Sequence, residues 1–386
     1  MKIRNFDVLV VYTEDTAKSA SDLSYTESSP FPADADCALY SKSYAYFIES
    51  CHEVGLTCAF TTSADVIGAG ACKSYWLYSN EKWHKVKQEC YSREIFDKFS
   101  PTNPTMAESW HLLFSAKTIR SFNNAFLFKL FFDKLETYNQ LSAYSIPTVE
   151  LSDTSRVDIS LALKDLNELV LKHPSSEDFS SAIILKDRYG AGGNHIYKIT
   201  SNWSKEITLL TRAHPTVNFV LQPLVMFEHG FTYNNHTTAT DIRLIYQNGK
   251  LLQKYIRMAK SDDFRCNQHQ GGTLKYVKTS DIPTAVLQLS QEICDELDQK
   301  NSLFALDFII SNTGHIYLLE GNISPGITWD VTSDQDEIMC KKLIKGIVAE
   351  MAKRVLQQPV LTPSPLLTTT IINQVFTGQV LRNSIS

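Results

Sequence analysis

Two neighbouring apolar runs in the last quarter of the chain carry polar groups where hydrophobic residues would be expected. Asp307 lies inside the run 303–310, and Glu320 and Asn322 lie in the run 316–322. Burying a carboxylate is costly unless a cation or another partner neutralises it. The chain must therefore fold so that these two segments meet positive charge.

The spacing of these side chains favours a site for a divalent cation. Residues 311–314 have the composition of a turn, which predicts a β-hairpin. In that hairpin Glu320 and Asn322 share one face, and Asp307 stands on the neighbouring strand. Three oxygen ligands of this kind suit Mg²⁺, which takes its remaining ligands from water and nucleotide phosphates. The alternative is a hairpin whose carboxylates are held in salt bridges without a metal.

A glycine-rich loop between two predicted strands indicates a second charged site. One strand ends at Lys186, and the loop after it contains Gly190, Gly192 and Gly193. Glycines let backbone N–H groups approach phosphate oxygens, and the lysine adds a point charge. Because a strand and not a helix follows, the loop is neither a P-loop nor a dinucleotide fingerprint. A glycine-rich hairpin turn without a ligand is the alternative.

Two arginines stand on a further predicted hairpin. Asn248-Gly249 between alternating strands is a strong hairpin signal, and the strands carry Arg243 and Arg257. Strand-borne arginines can clamp phosphates or carboxylates with two hydrogen bonds, although most surface arginines are only solvated. A polar loop at 265–272 follows and ends in two glycines.

Composition and charge argue against a nucleic-acid-binding protein and against a membrane protein. The 37 basic residues against 42 acidic ones give a net charge of −5, which argues against nucleic acid as the main partner. No signal-peptide core and no apolar run of about 20 residues is visible, so we expect a cytoplasmic protein without a membrane partner. The eight cysteines form no Cys-x-x-Cys pair, as is typical of free thiols.

The order of predicted elements divides the chain. Residues 1–118 are predicted to form a small α/β unit. In this unit a strand at 7–12, a helix at 37–54 and a strand at 56–61 form one βαβ crossover. A hairpin at 75–86 follows. The prolines at 101 and 104 predict a loop. Further helices are predicted at 122–141, 160–171, 281–298 and 335–356, with strands and turns between them and a tail of unknown order at 360–386.

Taken in this order, the motifs resemble the ATP-grasp superfamily, specifically the bacterial glutathione synthetases and the related ribosomal-protein glutamate ligases. The resemblance also rests on Asp133-Lys134 before the extended segment 145–148 and on a hinge-like segment at 222–225. It covers roughly residues 120–330. It implies an α/β protein in which an ATP-grasp domain of α+β subdomains at 119–358 follows a Rossmann-like pre-ATP-grasp domain at 1–118 and precedes a tail at 359–386.

The resemblance also implies roles for individual residues. ATP would be bound by Lys134, Lys186, Gly190, Gly192, Gly193, Gln222, Leu224, Val225 and, at the ribose, Glu228. Two Mg²⁺ ions, which Mn²⁺ could replace, would be held by Asp307, Glu320 and Asn322, with Glu320 bridging. Catalysis would use Arg257, Arg243 and Asn322, and the substrate would contact Arg265, Asn267, Gly271 and Gly272.

The activity implied is that of an ATP-dependent carboxylate–amine ligase, which forms an amide through an acylphosphate and releases ADP and phosphate. The partners would be small-molecule or peptide substrates, and homodimers are usual among the relatives. A small-molecule kinase and a non-catalytic ATP-binding protein are the alternatives. Three features depart from the pattern: His195 in the glycine loop, which is either a surface residue or an extra donor to ATP, an insertion at 230–238, and an N-terminal domain without a substrate signature.

Overall fold

The computed structural model describes residues 3–33, 35–100, 104–123, 125–234 and 238–357. The predicted tail at 359–386 and positions 235–237 of the predicted insertion lie outside these residues. Within them, no helix is both long enough and apolar enough to cross a membrane.

Nineteen strands are present in the described part of the chain. In order they are β1 Arg4–Asn5, β2 Val8–Tyr12, β3 Cys58–Thr62, β4 Val66–Gly68, β5 Ala71–Cys72, β6 Tyr75–Ser79, β7 Lys82–Val86, β8 Cys90–Tyr91, β9 Glu94–Lys98, β10 Arg120–Ser121, β11 Val149–Leu151, β12 Phe179–Asp187, β13 Ile196–Ile199, β14 Phe219–Val225, β15 Thr240–Gln247, β16 Lys250–Met258, β17 Thr273–Tyr276, β18 Leu303–Ile310 and β19 Ile316–Asn322.

Eight α-helices accompany these strands in the described residues. They are α1 Ala35–Glu53, α2 Pro104–Leu113, α3 Ala125–Phe132, α4 Lys134–Gln140, α5 Arg156–Lys172, α6 Trp203–Ala213, α7 Thr284–Leu297 and α8 Asp334–Leu356. The mixture of helices and sheets confirms the predicted α/β class.

The N-terminal part is built on a six-stranded sheet of order β10-β9-β2-β3-β6-β7. Its first four strands are mutually parallel, and β6 and β7 form the predicted antiparallel hairpin. Strand β2 is buried along its whole length, as its uninterrupted apolar sequence predicts. Helix α1 joins β2 to its parallel neighbour β3, so the predicted βαβ unit is present. A small second sheet of order β1-β8-β5-β4 lies beside it.

The middle of the chain forms an antiparallel sheet of order β11-β14-β12-β13. One face packs against α5 and α6 through residues such as Leu185, Leu221, Ile159 and Ile207. The other face carries Lys186, because side chains alternate along a strand and Lys186 is adjacent to the helix-facing Leu185. This second face is therefore available to a ligand.

The C-terminal part forms an antiparallel sheet of order β17-β16-β15-β18-β19. Residues such as Ile242, Leu244 and Phe308 cover one face and pack on α3 and α7. The opposite face carries the charged residues of the predicted site. Helix α8 packs between α1 and this sheet, so that a single apolar cluster joins the N-terminal and C-terminal parts.

Two predicted elements were wrong, and one helix was missed. The helix predicted at 122–141 is divided into α3 and α4, because Asp133 is extended and its carboxylate accepts hydrogen bonds from the N–H groups of Leu135 and Glu136 as an N-cap. The loop predicted at Pro101 and Pro104 is a helix from Pro104 onward, since proline is tolerated at the first helical position, while Pro101 lies outside the described residues. Helix α6 was not predicted at all, although it buries Ile207 and Thr211 one turn apart.

Candidate active site

The predicted charged residues lie in one row across the C-terminal sheet. Asp307 of β18 pairs directly with Glu320 of β19 on one side and with Arg243 of β15 on the other. Arg243 in turn pairs with Tyr255 of β16. Since directly paired residues point to the same face of a sheet, all four side chains project from the face opposite α3 and α7.

Arginines neutralise the most buried carboxylate of this row. Asp307 is fully buried and accepts hydrogen bonds from Arg243 Nε at 2.6 Å and from Arg257 Nη2 at 2.6 Å. Arg257 also binds Asp241 with two hydrogen bonds of 2.8 Å. Arg243 Nη2 lies 3.6 Å from a carboxylate oxygen of Glu320. The sequence analysis expected positive charge near the carboxylates of Asp307 and Glu320, and these arginines supply part of it.

Two lysines approach Glu320 from the opposite side. Lys186 Nζ on β12 lies 4.0 Å from Glu320 Oε2, and the lysine is only 4% exposed. Lys134, the first residue of α4, donates from Nζ to the carbonyl oxygen of Gly190 in the glycine loop. Glu320 thus lies between lysines of the middle sheet region and arginines of the C-terminal sheet.

These surroundings shift the pKa values of the site. Burial and the neighbouring Lys186 lower the pKa of Lys134 to about 8, and burial also lowers the pKa of Lys186. Burial alone would raise the pKa of Glu320, but Lys186, Lys134 and the two arginines outweigh it and hold the value at about 2. Glu320 is therefore ionised at every physiological pH.

Of the three predicted metal ligands, Glu320 and Asn322 fit a divalent cation as they stand, and Asp307 does not. Asn322 Nδ2 donates to Glu320 Oε1 over 3.2 Å, so the amide oxygen and the second carboxylate oxygen of Glu320 remain as candidate ligands. Asp307 fits only if its carboxylate moves away from the arginines that bind both of its oxygens. No three His, Cys, Asp or Glu side chains of the described chain could hold a metal ion together. Asn322, and phosphate or water oxygens, would have to complete the shell.

The glycine loop contacts the polar loop that precedes β17. A Cβ atom on Gly193 would lie 2.9 Å from Gln270 Cγ and 3.1 Å from Asn267 Oδ1, and Gly193 has φ +79°. Gln270 Nε2 donates to the carbonyl oxygen of Gly192 at 3.4 Å. The two loops therefore close over the region of Lys186 and Glu320, and the approach requires a glycine at 193.

An apolar slot, here called the first cavity, adjoins these charges between the middle and C-terminal sheets. Its walls include Ile184, Leu224, Phe227 and Ile309. Gln222 lies at its edge and donates to Thr148 Oγ1 at 2.8 Å. A flat apolar slot beside a cluster of cations suits a heteroaromatic ring attached to an anionic group.

The structure brings most of the predicted residues together. Those lining the first cavity are Lys134, Lys186, Gly190, Gly193, Gln222, Leu224, Val225, Arg257, Arg265, Asn267 and Glu320. Gly192, Arg243 and Asn322 line a second cavity, which shares Arg257, Asn267 and Glu320 with the first and opens toward the N-terminal sheet. Asp307 lies beneath Arg243 and Arg257.

Besides Asp307, three predicted site residues line neither cavity. The carboxylate of Glu228 accepts a hydrogen bond from Asn312 Nδ2 at 3.3 Å. Gly272 packs against the Cys266 carbonyl oxygen, which would lie 2.2 Å from an added Cβ. Gly271 ends a short 3₁₀ turn with φ +88°. The two glycines shape the loop that closes on Gly193, while a ribose contact from Glu228 stays a prediction.

His195 belongs to a local aromatic cluster. Its Nδ1 lies 3.2 Å from Tyr197 Oη, which lies 2.8 Å from His214 Nε2, and the two imidazole rings are 4.6 Å apart. It lines neither cavity. Of the two interpretations, the contacts favour a partly exposed structural histidine.

Several residues of the site were not predicted from the sequence. Asp241 binds Arg257, and Arg188 binds Asp133 through two hydrogen bonds of 2.7 and 2.6 Å beside the glycine loop. The Asp-x-Arg pattern at 241–243 was visible, but only the pairing register shows which arginine the aspartate binds. Gly321 was also missed: the ring of Phe131 packs so closely on it that a Cβ would lie 2.0 Å away.

Comparison with known proteins gives one family match and several structural matches. The family model described as the prokaryotic glutathione synthetase ATP-grasp domain matches residues 160–335. No curated protein matched. The match covers the middle sheet from α5 onward and the C-terminal sheet, and therefore most of the residues that line the first cavity.

Solved structures resemble nearly the whole chain. D-alanyl-alanine synthetase A from Vibrio cholerae O1 biovar eltor is 13% identical with a TM-score of 0.57, covering 93% of this chain and 100% of its own. The D-cycloserine synthetase DcsG is 14% identical with a TM-score of 0.53, covering 90% and 99%. A RimK domain ATP-grasp protein from Sphaerobacter thermophilus is 11% identical with a TM-score of 0.50, covering 90% and 99%. The fold is the ATP-grasp fold, and residues 160–335 are similar to the ATP-grasp domain of the prokaryotic glutathione synthetases.

Proposed function

We propose that the protein is an ATP-dependent carboxylate–amine ligase. The observation that carries the proposal is the position of Glu320, which lies between Lys186 of one sheet and Arg243 of the other, next to an apolar slot. Such an arrangement suits a nucleoside triphosphate whose terminal phosphate must be transferred, because phosphoryl transfer depends mainly on positioning and on neutralising charge.

The nucleotide would occupy the first cavity. The base would lie between Ile184 and Ile309, with the backbone of 222–225 at its polar edge. Lys134 and Lys186 would contact the phosphates, and the glycine loop would cover them. Both lysines have pKa values lowered by burial, and a polyanion would supply the negative charge that now comes mainly from Glu320.

Glu320 and Asn322 would hold Mg²⁺, with Asp307 as a further ligand if the arginines release it. Bound there, the metal would neutralise developing charge on the phosphate oxygens. The fit is supported by the ionised Glu320 and by the free amide oxygen of Asn322.

The arginines would act on the reacting groups. A substrate carboxylate would attack the terminal phosphorus of ATP, which releases ADP and leaves an acylphosphate; an amine would then attack the acyl carbon and release phosphate. Arg257 and Arg243 already hold fixed positions through carboxylate pairs, so they can stabilise charge on the transferring group without reorganising. No protein nucleophile is needed.

The substrates would be a small molecule or a peptide. Structures of the same fold include the D-cycloserine synthetase and a ligase complexed with a minimal precursor, PsnB, which is 11% identical with a TM-score of 0.51. We further propose that residues 1–118 form a pre-ATP-grasp domain and 119–358 the ATP-grasp domain, with a substrate bound where the two meet.

Mass spectrometry after incubation with ATP, Mg²⁺ and pools of amino acids and peptides tests the proposal. An amide product formed together with ADP supports the ligase. A phosphorylated product with ADP would instead indicate a small-molecule kinase, and unchanged ATP would indicate a protein that only binds the nucleotide.

A further inference from the structure

The second cavity has a wall contributed by the N-terminal sheet. Tyr12 and Lys98 line it, as do Tyr255 and Tyr276 of the C-terminal sheet. Tyr12 and Lys98 are the last residues of the parallel strands β2 and β9 and pair directly with each other. Ligands of open parallel sheets bind in the crevice at the carboxyl ends of the strands. This edge of the N-terminal sheet faces Asn322 and Arg243 across the second cavity.

Lys98 forms no close ion pair in the described chain, and the carboxylate of the adjacent Asp97 offsets its charge only in part. Its ammonium donates to the carbonyl oxygens of Ser324 at 3.4 Å and Pro325 at 3.2 Å, and it forms no ion pair with any carboxylate of the described chain. The adjacent Asp97 directs its carboxylate to the N–H of Phe122 at 3.3 Å. An ammonium has three donors, so at least one remains for a ligand.

Because its charge is only partly balanced, Lys98 would stabilise an anionic group of a bound ligand. Holding a cation in a partly buried place is costly when nearby charge balances it only in part. Burial lowers the pKa of Lys98 to about 8, as expected for a cation whose neighbours do not compensate it fully. Arg243 and Arg257, the other lysine or arginine side chains that line this cavity, are already paired with Asp307 and Asp241.

The remainder of the cavity is suited to an apolar group. Tyr12, Tyr40 and Tyr255 present rings, and Leu274 and Ile327 add aliphatic surface. These rings offer edges and faces against which another ring or a branched aliphatic chain can pack.

A second carboxylate on the ligand would find no free cation in this cavity. It would also meet Asp336, whose carboxylate already accepts hydrogen bonds from Tyr276 Oη and from the N–H of Asp330, each at 2.7 Å. Like charges repel, so an acidic ligand side chain placed beside Asp336 would be disfavoured.

Resting on the proposed ligase function, we propose that Lys98 binds the carboxylate of a substrate whose side chain is apolar or aromatic and packs against Tyr12 and Tyr40. The shared chemistry is a monocarboxylate beside an apolar side chain. It could come from a free amino acid or from the C-terminal residue of a peptide. Lys98 would then set substrate specificity from a domain that carries none of the predicted phosphate or metal ligands.

Calorimetric titration of the full chain, saturated with a non-hydrolysable ATP analogue and Mg²⁺, tests this assignment. The probes are both enantiomers of phenylalanine, leucine and glutamate, and the dipeptide glycyl-phenylalanine. We expect a phenylalanine- or leucine-containing probe to bind more tightly than glutamate. Lys98→Met should weaken that binding at least about tenfold, as expected when a charge-assisted hydrogen bond is lost. The free amino acid and the dipeptide distinguish the two sources.

Controls separate a specific effect from misfolding. Lys98→Arg keeps the charge and should retain part of the affinity, and Lys82→Met removes an exposed lysine of β7 and should change nothing. The ATP analogue should bind each variant as it binds the unmodified protein. Equal phenylalanine affinity in Lys98→Met, a preference for glutamate, or no binding of any apolar probe would overturn the assignment.

The two proposals can fail separately. If apolar probes bind in a Lys98-dependent manner but no amide forms with any amine, the ligase function fails and the binding site stands. If amide forms from substrates whose KM is unchanged in Lys98→Met, the ligase stands and this site fails.

Discussion

Asp307 and Glu320 are directly paired on adjacent antiparallel strands, and the guanidinium of Arg243 lies against both carboxylates. Of these two carboxylates, Asp307 is buried, whereas Glu320 lines both cavities. Because Asp307 is satisfied by arginines, Glu320 is the carboxylate with freedom to meet a ligand. The function proposed above depends on this asymmetry.

Replacing Lys186 by alanine should mainly weaken nucleotide binding. Lys186 is a buried cation whose Nζ lies 4.0 Å from Glu320, and the loss of a charged hydrogen bond to phosphate costs about 1.5–3 kcal/mol, or roughly ten- to hundredfold in affinity. Titration with an ATP analogue measures the effect. Lys198→Ala, which removes an exposed lysine from the paired strand β13, is the matched control. Unchanged affinity in Lys186→Ala would exclude the lysine from the phosphate site.

Nucleotide affinity should fall as the pH rises above about 8. The pKa of Lys134 is about 8 in the free protein because of burial and the nearby Lys186, and a bound triphosphate would raise it. The charged lysine is fully present below that pKa, so affinity is constant there. Above it, affinity should decline by at most about tenfold per pH unit, since one proton is involved. Titrations between pH 7 and 9.5 test this, and Lys134→Met should bind weakly without that slope.

Gly193→Ala should weaken nucleotide binding because the glycine loop could no longer close on Asn267 and Gln270. An added Cβ would meet Gln270 Cγ at 2.9 Å, and the φ of +79° is unfavourable for alanine. Gly249→Ala is a matched control, since that glycine has φ +73° and no atom within 4 Å of an added Cβ. Both variants should lose about 1 kcal/mol of unfolding free energy. Only Gly193→Ala should raise the KM for ATP.

Asp133→Asn should destabilise the protein while leaving the helix cap intact. Asparagine caps helices as well as aspartate does, so the variant keeps the cap but removes the charge and one of the two oxygens that accept hydrogen bonds from Arg188. We expect a loss of about 1–2 kcal/mol in urea unfolding, because the pair is largely shielded from solvent. Asp133→Ala should lose about 1 kcal/mol more. Equal stability of the two variants would show that the cap contributes nothing.

The sequence predicted which strands carry the site residues better than it predicted which residues pair with each other across those strands. The hairpin at 241–258 followed from Asn248-Gly249, and its turn pairs Tyr246 with Leu251. Continuing that register would place Arg243 opposite Lys254. Instead a bulge next to Ile245 shifts the pairing by one residue, so that Arg243 stands opposite Tyr255. A one-residue slip moves every side chain to the other face, and no local signal revealed this bulge.

A similar bulge sets the position of Glu320. Phe308 pairs with Leu318, whereas Asp307 pairs with Glu320, so one extra residue is accommodated on β19. Gly321 then allows Phe131 of α3 to pack on the strand between Glu320 and Asn322. The order of motifs along the chain was therefore enough to predict the ATP-grasp fold. The charge pairing of Asp307 with two arginines depends on long-range packing and could not be predicted.

The most direct test of the central claim is the Mg²⁺ dependence of ATP turnover in Glu320→Ala. If Glu320 is the carboxylate at which metal and triphosphate meet, the unmodified protein should release ADP only with Mg²⁺ and substrates, and Glu320→Ala should lose at least about a hundredfold of that rate while remaining folded. Glu292→Ala, on the exposed surface of α7, should behave as the unmodified protein. Near-normal turnover of Glu320→Ala, with its Mg²⁺ dependence unchanged, would contradict the account.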